Sequence, residues 1–536
     1  MERTITPSRN FERNARSPVL GTQMMVSTPN SLASTVAFDI LRTGGNAVDA
    51  AIAAVAALGV LDPSQTGIGG DCFALYHPAG ASRPIALNGS GPAPAAVDRA
   101  ALSARHGAAI ATASPDAVTI PGAVAAWERL AADHGRLGLD RLLVPAAELA
   151  ERGVPVAPRL AHDWRFNEAK LAADAGSRAL LLKNGRAPAC GTRFCQPRLA
   201  ETLRAIAAGG SRAFYEGTVA ERHVRHLRAL GGLHTLEDFA GFKPDYVEPI
   251  VAPFRGYEFW QCPPNGVGLV PLMMARALEA GPAPASGPLA SENVHRIVET
   301  GRMAFGARAA LIGDPRFDDV PVELLLSDDS AKGIACAVDP LRRTPDIALP
   351  QLRAKGDTVF VAVVDRDGNA MALINSLFEE FGSAITVPET GVLFHNRGCG
   401  FSLAESHPNA IAGGKRPLHT ILPAMLTRAG EAVMPFGVTG GPFQPFGQIE
   451  LLSAMLDHGY GLQEAMDLPR YFAWNDEVQV EAPFPDGTAR RLAEMGHRLV
   501  PAPYALGCAQ AVWIDRKEGM LVGGSDFRRD GTAIGL

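Results

Sequence analysis

The sequence predicts a layered α/β fold, and three observations point to it. Strand-like runs of β-branched and aromatic residues alternate with helical segments along the whole chain. Two helical segments near the N-terminus are almost wholly apolar, so we expect them to be buried. The 536 residues are 47% hydrophobic and 20% charged, which is ample for a large core. Strands interleaved with buried helices are typical of helices packed on sheets.

The first elements are two helices and a strand. One helix starts near Ser31 and ends at Gly44-Gly45, and the second runs from about Ala47 to Leu61. Gly67-Ile68-Gly69-Gly70 then leads into a strand from Cys72 to Tyr76. A dinucleotide-binding loop follows a strand and precedes a helix, whereas this glycine cluster follows a helix and precedes a strand. We therefore reject dinucleotide binding for this cluster.

The middle of the chain is predicted to be rich in helices. A short strand at Ile85 to Leu87 precedes them, and strands between residues 244 and 262 turn at Arg255-Gly256. The predicted helices are Gly122 to His134, Asp140 to Arg152, Pro197 to Ala208, Val219 to Ala229, Asn265 to Ala280 and Asn293 to Ile312. From Ala337 to Lys355 the sequence contains prolines and lacks a clear period, which predicts a mobile segment.

The most informative stretch is a β-hairpin predicted around Asp367-Gly368. A β-branched run from Thr358 to Val364 precedes this turn, and an apolar run from Ala370 to Ile374 follows it. If Val364 faces Ala370, antiparallel counting brings Thr358 opposite Ser376 to within a residue. A hydroxyl at the start of one strand would then have a second hydroxyl beside it. By itself, a threonine that starts a strand indicates only a β-branched preference.

The C-terminal part predicts more strands and helices. A strand from Met434 to Val438 ends at Gly440-Gly441, and a closing strand pair ends near Gly523. The predicted helices are Phe446 to Asp457, Leu462 to Leu468 and Thr488 to Met495.

Composition excludes several classes of partner. The net charge of −6, without a block of like charges, argues against nucleic acid or an anionic membrane. Aromatic residues make up 7%, so stacking platforms for single-stranded nucleic acid are not expected. The stretch from Ala50 to Leu61 is too short to span a membrane. Residues 1 to 30 contain arginines but no apolar signal-peptide core, which predicts a cytoplasmic protein.

No cofactor or metal site is predicted. The seven cysteines are scattered without a CxxC pair, which favours buried, reduced thiols. His395, His407 and His419 follow one another at intervals of twelve residues, which matches no compact metal-binding motif. Walker A, GxSxG, HExxH and EF-hand patterns are absent from the sequence.

Several short motifs occur in a fixed order around the hairpin and before it. They are Gly44 to Ala51, Gly67 to Gly70, Val118 to Val124, Pro263-Pro264, Gly313 to Pro315, Thr358, Asp367 to Asn369, Phe381 to Ser383, Pro388 to Gly391, Gly413 to Pro417 and Gly440-Gly441. Together they resemble the γ-glutamyltransferase family of N-terminal-nucleophile hydrolases, from about residue 20 onward. The pattern is most similar to the oxamate amidohydrolase-like and γ-glutamyltransferase-like members of this family.

The resemblance implies a specific fold and a processing step. The fold would be a four-layer αββα sandwich, in which two packed sheets lie between helical layers. Members of the family cleave their own chain at the peptide bond that precedes the nucleophile. In this sequence that bond would be Asp357–Thr358. Residues 1–357 would form the large chain and residues 358–536 the small chain of one folded unit. The expected partners are therefore these two chains and a small-molecule amide, and a homo-oligomer is compatible with the sequence.

The resemblance also assigns the chemical groups. Thr358 would be the nucleophile. Its freed α-amine, which has an ordinary pKa near 8, could act as the base that takes the hydroxyl proton. Gly440-Gly441 would supply backbone donors to the oxyanion, although from the residues alone a plain turn is the alternative. Ser376 matches an accessory hydroxyl that is usually a threonine. Asn375, next to it, is expected to contact the substrate.

The substrate pocket departs from the γ-glutamyl pattern. The family arginine that holds an α-carboxylate falls on or near Asn88, in a segment without a basic residue, and the acidic residue that holds the α-amine falls at Gly400. The paired serines fall at His419 and Thr420, which we expect to line the pocket, and an asparagine falls at Phe378. Sites without such partners discriminate strongly against the substrate that needs them.

Arg397 is a new cation on the same segment as Gly400. Its guanidinium could grip one carboxylate through two hydrogen bonds, and an ordinary structural salt bridge is the alternative. We therefore predict hydrolysis of an amide whose acyl part carries a carboxylate but no α-amine. Phe378 and His419 would narrow the pocket, which favours an oxamate-like acid. The alternatives are a glutathione hydrolase or γ-glutamyltransferase, a glutaryl-type (cephalosporin) acylase, and an unprocessed, non-catalytic relative.

Overall fold

The structure, a computed structural model, describes residues 9, 15–284, 287–345, 347 and 356–536. Its strands are β1 (Val19–Gly21), β2 (Met25–Thr28), β3 (Asp71–His77), β4 (Ile85–Gly89), β5 (Val154–Pro155), β6 (Arg193–Phe194), β7 (Asp245–Val247), β8 (Ile250–Phe254), β9 (Tyr257–Gln261), β10 (Asp357–Val364), β11 (Ala370–Phe378), β12 (Ala424–Arg428), β13 (Glu431–Val438), β14 (Tyr471–Trp474), β15 (Glu477–Val480), β16 (Leu499–Pro501), β17 (Ala509–Asp515), β18 (Met520–Ser525) and β19 (Thr532–Gly535).

The helices connect these strands. They are α1 (Ser31–Arg42), α2 (Ala47–Leu61), α3 (Arg99–His106), α4 (Ala123–His134), α5 (Leu139–Leu142), α6 (Val144–Arg152), α7 (Pro158–Phe166), α8 (Glu168–Ala173), α9 (Ala175–Leu181), α10 (Pro197–Gly209), α11 (Arg212–Tyr215), α12 (Gly217–Ala229), α13 (Leu236–Ala240), α14 (Leu269–Ala280), α15 (Ser291–Leu311), α16 (Val322–Leu325), α17 (Asp328–Ala337), α18 (Gln444–Leu456), α19 (Leu462–Met466) and α20 (Asp486–Glu494). Short 3₁₀ turns lie at Pro115–Ala117, Arg397–Gly400 and Gly441–Phe443.

Two stacked antiparallel sheets form the centre of the molecule. The first has the order β19-β2-β10-β11-β3-β4-β7, and the second has the order β1-β18-β17-β13-β12-β9-β8. Strands β10 and β11 of the first sheet pack on β13 and β17 of the second. The apolar layer between the sheets includes Phe73, Phe360, Ile374 and Met425. Burial of these large side chains contributes most of the attraction between the sheets.

Helices cover the outer face of each sheet. Helices α1, α2 and α4 pack on the first sheet, and α14, α18 and α19 pack on the second. Every residue of α2 is buried, as its almost wholly apolar sequence predicts, and its one charged residue, Asp49, caps the helix start with Asn46. The residues of β10 alternate: Val359, Val361 and Val363 join the core beneath these helices, whereas Phe360 and its alternate neighbours face the other sheet. The predicted αββα sandwich is thus confirmed.

Both sheets combine strands from the two sides of Thr358. Strand β10, which begins at Asp357, lies between β2 and β11. The first sheet therefore pairs strands that precede residue 357 with strands that follow it, and β12, β13, β17 and β18 lie beside β1, β8 and β9 in the second. Thr358 consequently lies at the start of a central strand, whose far end, Ala362 to Val364, pairs with both β2 and β11.

A few elements differ from the sequence predictions. The helix expected from Asp140 to Arg152 is divided into α5 and α6 at Leu143, because Pro145 in the first turn of α6 cannot donate a helical hydrogen bond to the preceding turn. Strand β19 was not predicted, since its short sequence becomes a strand only by pairing with β2. Residues 346 and 348–355 of the predicted mobile segment lie outside the described residues. No described helix is long and apolar enough to cross a membrane.

Candidate active site

The hairpin places two hydroxyl groups side by side. Val364 faces Ala370 as predicted, and the ladder continues to Val359 opposite Asn375. The register then shifts by one residue, and the Oγ1 of Thr358 lies 3.1 Å from the Oγ of Ser376. Both side chains are buried. The predicted pairing of these two residues is confirmed.

Neighbouring groups hold both hydroxyl-bearing residues in place. The Thr358 N–H donates to Oε1 of Gln65 over 3.2 Å, and the Phe378 N–H donates to the Ser376 Oγ over 2.8 Å. Asn375 Nδ2 donates to Oγ1 of Thr66 over 2.8 Å, which ties β11 to the loop that carries Gln65. The Asn375 Oδ1 has no hydrogen-bond partner among the described residues. Gln65 was missed in the sequence, although it lies just before the Gly67 to Gly70 motif.

The glycine pair has a backbone that suits an anion. Gly440 has φ of +111° and Gly441 has φ of +56°, so both lie in the left-handed region that favours glycine. Neither N–H donates to an acceptor within the described part of the chain. A Cβ on Gly441 would lie 2.6 Å from the Cα of Gly356, so the chain leading into Thr358 passes directly against this pair. Two close N–H groups beside a reacting carbonyl can stabilise an oxyanion.

A buried carboxylate lies beside the hydroxyl pair. Asp71 on β3 faces Ser376 in the ladder, so Thr358, Ser376 and Asp71 lie in one row across three strands. Its Oδ2 accepts a hydrogen bond from Nε2 of His419 over 2.9 Å and lies 3.4 Å from Nδ1 of His395. Burial alone would raise the pKa of Asp71, but the two histidines outweigh it and hold the pKa below the ordinary value.

The histidines at this carboxylate have structural partners. The Ile421 N–H donates to the Nδ1 of His419, and burial lowers the pKa of His419 to about 3, so the ring is neutral. The Nε2 of His395 contacts the Thr119 carbonyl at 2.9 Å. His407 lies apart from them in the wall of a cavity. The structure thus separates the three histidines into two groups.

Arg397 is enclosed without a carboxylate partner. It is 1% exposed, its guanidinium carbon lies 3.6 Å from the ring centre of Phe378, and Nη2 donates to Oγ1 of Thr420 over 3.0 Å. Its Nε has no acceptor among the described residues. Burial lowers the pKa of Arg397 to about 9. No described carboxylate forms an ion pair with this group, so the structural salt bridge considered from the sequence is absent from the described part of the chain.

A cavity of about 380 Å³ opens in front of Arg397. Its wall includes Phe378, Thr420 and Gly400, three of the positions at which the sequence departs from the γ-glutamyl pattern. Pro442, which follows Gly441, lines it as well. The cavity therefore adjoins the hydroxyl pair through Phe378 and the glycine pair through Pro442. Phe378 has φ of +78°, a conformation that costs a non-glycine residue about 1–2 kcal/mol and that is typical of functional sites.

Three predicted substrate-binding residues, Asn88, Asn375 and His419, lie outside this cavity wall. Asn88 Nδ2 donates to Oδ1 of Asn265 over 2.8 Å, and its own Oδ1 accepts from Ser90. His419 lies against Phe73, with ring centres 5.0 Å apart, and is not part of the wall. The His419 ring is instead hydrogen-bonded to Asp71, and its expected narrowing of the substrate pocket stays a prediction. Substrate contacts of Asn88, Asn375, His419 and Thr420 stay predictions.

The comparisons with known proteins agree with this geometry. Residues 33–536 match the gamma-glutamyltranspeptidase family. The chain is 38% identical to the glutathione hydrolase-like YwrD proenzyme of Bacillus subtilis over 530 residues, which cover 97% of this chain and 99% of that protein. It is 36% identical to the oxamate amidohydrolase proenzyme of Klebsiella pneumoniae over 532 residues, which cover 96% and 99%. The crystal structure of a cephalosporin acylase from Bacillus halodurans superposes with a TM-score of 0.92 at 35% identity and covers 99% of both chains.

Proposed function

Because the chain belongs to the gamma-glutamyltranspeptidase family, whose members hydrolyse C–N amide bonds, we propose that it is a self-processing N-terminal-threonine amidohydrolase. Its substrate is an amide of a small carboxylate, and no cofactor takes part. The observation that carries the substrate assignment is Arg397, a buried cation without an ion-pair partner in the described residues, at the wall of a cavity next to the hydroxyl pair.

The first step is cleavage of the precursor. The Thr358 Oγ1 attacks the carbonyl carbon of Asp357, the C–N bond of that peptide breaks, and the freed Thr358 amine takes up the hydroxyl proton. Water then hydrolyses the resulting ester and restores the hydroxyl. The products are residues 1–357 and 358–536, which stay together because both sheets contain strands from each. Gly441 and Phe378 flank Gly356, so release of this segment opens the path from Thr358 to the cavity.

The second step is turnover of the substrate. The Thr358 α-amine accepts the proton of its own hydroxyl, the Oγ1 attacks the amide carbon, and the N–H groups of Gly440 and Gly441 stabilise the oxyanion. The C–N bond breaks, the leaving amine takes the proton, and an ester to Thr358 remains. Water hydrolyses this ester, with the α-amine as base. The Ser376 hydroxyl, 3.1 Å from the nucleophile, orients it.

Arg397 selects the acyl group. A carboxylate of the substrate would form charge-assisted hydrogen bonds with the enclosed guanidinium and would replace the solvation that burial removed. An α-amine on the same acyl group has no acidic partner among the described residues of this wall, since Gly400 stands where the family has the acidic residue and none of the described lining residues is an aspartate or glutamate. γ-Glutamyl compounds therefore lack a partner for their α-amine, which is one of the two charged groups that the family binds.

The size of the cavity favours a second candidate beside the oxamate-like acid. Since a water molecule occupies roughly 30 Å³, 380 Å³ exceeds what a two-carbon acid needs and fits a longer acyl group or a sizeable leaving amine. A glutaryl-type acylase is the second candidate for this reason. Both candidates share the carboxylate at Arg397.

Steady-state kinetics on oxamate, a glutaryl amide and glutathione test this function. We expect kcat/KM for a carboxylate-bearing amide to exceed that for glutathione, and the Arg397→Ala variant to lose about tenfold to a hundredfold on it. Glutathione turnover far above the other two would show a γ-glutamyl enzyme instead. Unchanged kinetics of Arg397→Ala would remove Arg397 from substrate binding. A chain that stays intact and turns over no amide would indicate the non-catalytic alternative.

A further inference from the structure

A second arginine faces the same cavity and has no role in the proposed function. Arg308 lies in the last turn of α15 and is half-buried, with its guanidinium carbon 5.4 Å from the Phe305 ring centre. Among the described residues, no carboxylate pairs with it. Its positive charge is one of the causes that lower the pKa of Arg397, so the two guanidinium groups lie within electrostatic reach of each other.

The cavity wall carries an unusual charge. Its described residues include two arginines and no aspartate or glutamate, although the whole chain has 56 acidic and 50 basic residues. Two like charges on partly desolvated walls repel each other and lose hydration, which is unfavourable unless an anion occupies the space between them. The cavity is therefore built for a ligand with more than one negative charge, or for one group shared by both arginines.

The two arginines are buried to different extents, which favours a ligand with two negative charges over a single group shared by both arginines. Arg397 is 1% exposed, whereas Arg308 is half-buried and so lies nearer to solvent. An acyl group whose carboxylate reaches Arg397 lies at the inner end of the cavity. The leaving amine must depart into water and hence points toward the outer end. The volume of about 380 Å³ leaves room for both parts of such an amide.

We propose that Arg308 binds a carboxylate on the leaving amine, so that the preferred substrates join a carboxylate-bearing acyl group to an amino acid. This inference rests on the proposed amidohydrolase function and adds the chemistry of the leaving group. Arg308 is thereby a specificity-determining residue, which acts on the part of the substrate that the acyl-enzyme no longer contains.

The test compares two leaving groups of equal size in the processed enzyme. The oxalyl and glutaryl amides of glycine carry a carboxylate on the leaving amine, and those of glycinamide carry a neutral amide in its place. We expect wild-type kcat/KM to favour the glycine compounds by about tenfold or more, the value of one charged hydrogen-bonded pair. In Arg308→Gln this ratio should fall toward one, and Arg308→Lys should retain part of it.

Arg42→Gln is the matched control, because this arginine lies on the surface of α1, 62% exposed, in an i,i+3 pair with Asp39. An equal wild-type preference for the two leaving groups overturns the inference even if Arg308→Gln does not fold. An equal loss on both compounds in Arg308→Gln overturns it as well, since Arg308 would then act on the acyl part or on the fold. Absence of any turnover and of an ester on Thr358 overturns the proposed function first, and this inference with it.

Discussion

The side-chain oxygens of Thr358 and Ser376 lie 3.1 Å apart on the two strands of one hairpin. The regular ladder ends at Val359 and Asn375, and Asp357 pairs with Phe378 after a shift of one residue. The hydroxyl pair therefore lies at the irregular end of the hairpin, where the backbone leaves the sheet. Variants at this end test the site while the rest of the hairpin stays paired.

Self-cleavage should depend on the Thr358 hydroxyl. We expect Thr358→Ala to stay one chain of 536 residues and Thr358→Ser to cleave, since serine keeps the attacking oxygen. A denaturing gel, intact mass and N-terminal sequencing measure this, with Thr358 expected as the first residue of the small chain. Cleavage of Thr358→Ala at the same bond would refute the assignment.

Ser376 should affect the rate of both chemical steps. Ser376→Ala removes a hydrogen-bonding partner of the nucleophile, and we expect cleavage and turnover to slow by about tenfold, the value of one neutral hydrogen bond. Ser376→Thr keeps the hydroxyl and serves as the matched variant, with rates close to wild type. If the alanine and threonine variants had the same rates, the hydroxyl would have no role in positioning Thr358.

Gly441 should be required at the oxyanion site. A Cβ there would lie 2.6 Å from the Cα of Gly356, and φ of +56° costs alanine about 1–2 kcal/mol. Because the clash would move the N–H of residue 441 out of place, we expect Gly441→Ala to slow self-cleavage by about a hundredfold or more, as when one oxyanion donor is lost. Gly459→Ala is the control, because Gly459 has φ of +74° but open space around its Cβ position. Equal cleavage rates in the two variants would show that the contact between a Cβ at position 441 and Gly356 does not disturb the oxyanion site.

Asp71 should stabilise the fold around the hydroxyl row. In the uncleavable Thr358→Ala background, Asp71→Asn removes the charge that His419 and two backbone N–H groups contact. We expect urea unfolding to show a loss of about 2–3 kcal/mol, the value of hydrogen bonds to a buried charged acceptor. The control Asp367→Asn breaks an exposed pair with Arg136 and should cost at most about 1 kcal/mol. Equal losses would assign no special role to Asp71.

Stability should fall as the pH is lowered through 6.5. Burial lowers the pKa of His223 to about 3 and that of His234 to about 4, below the ordinary value of about 6.5 that the unfolded chain has. Below pH 6.5 the unfolded state therefore binds protons that the folded state cannot, and at pH 5 each histidine costs about 2 kcal/mol of stability.

Urea unfolding of the Thr358→Ala chain at pH 7 and pH 5 measures this loss. His223→Phe should make the pH dependence shallower, since the ring already lies among Phe214, Phe239 and Phe394 and phenylalanine does not titrate. An unchanged slope in this variant would exclude His223 as a cause.

Local sequence patterns determined the core of the site. The period-two alternation of the strands and the Asp367-Gly368 turn lock the hairpin register, because a slip of one residue would turn every apolar side chain to the wrong face. The pairing of Thr358 with Ser376 follows from that register. The burial of α2 likewise follows from its own sequence, because apart from Asp49 in the first turn its residues are apolar on every face.

Only the tertiary structure decided which distant residues surround the hydroxyl pair. Asp71 and His419 are 348 positions apart, and neither shows a motif that predicts the other. In the sequence, Arg308 is one of several polar residues near the end of a helix. Only the packing of α15 places it in the cavity wall that contains Arg397. Local patterns carry periodicity and turn chemistry, whereas contacts between remote segments depend on how whole layers pack. That is why the nucleophile could be predicted from the sequence and the charge of its cavity could not.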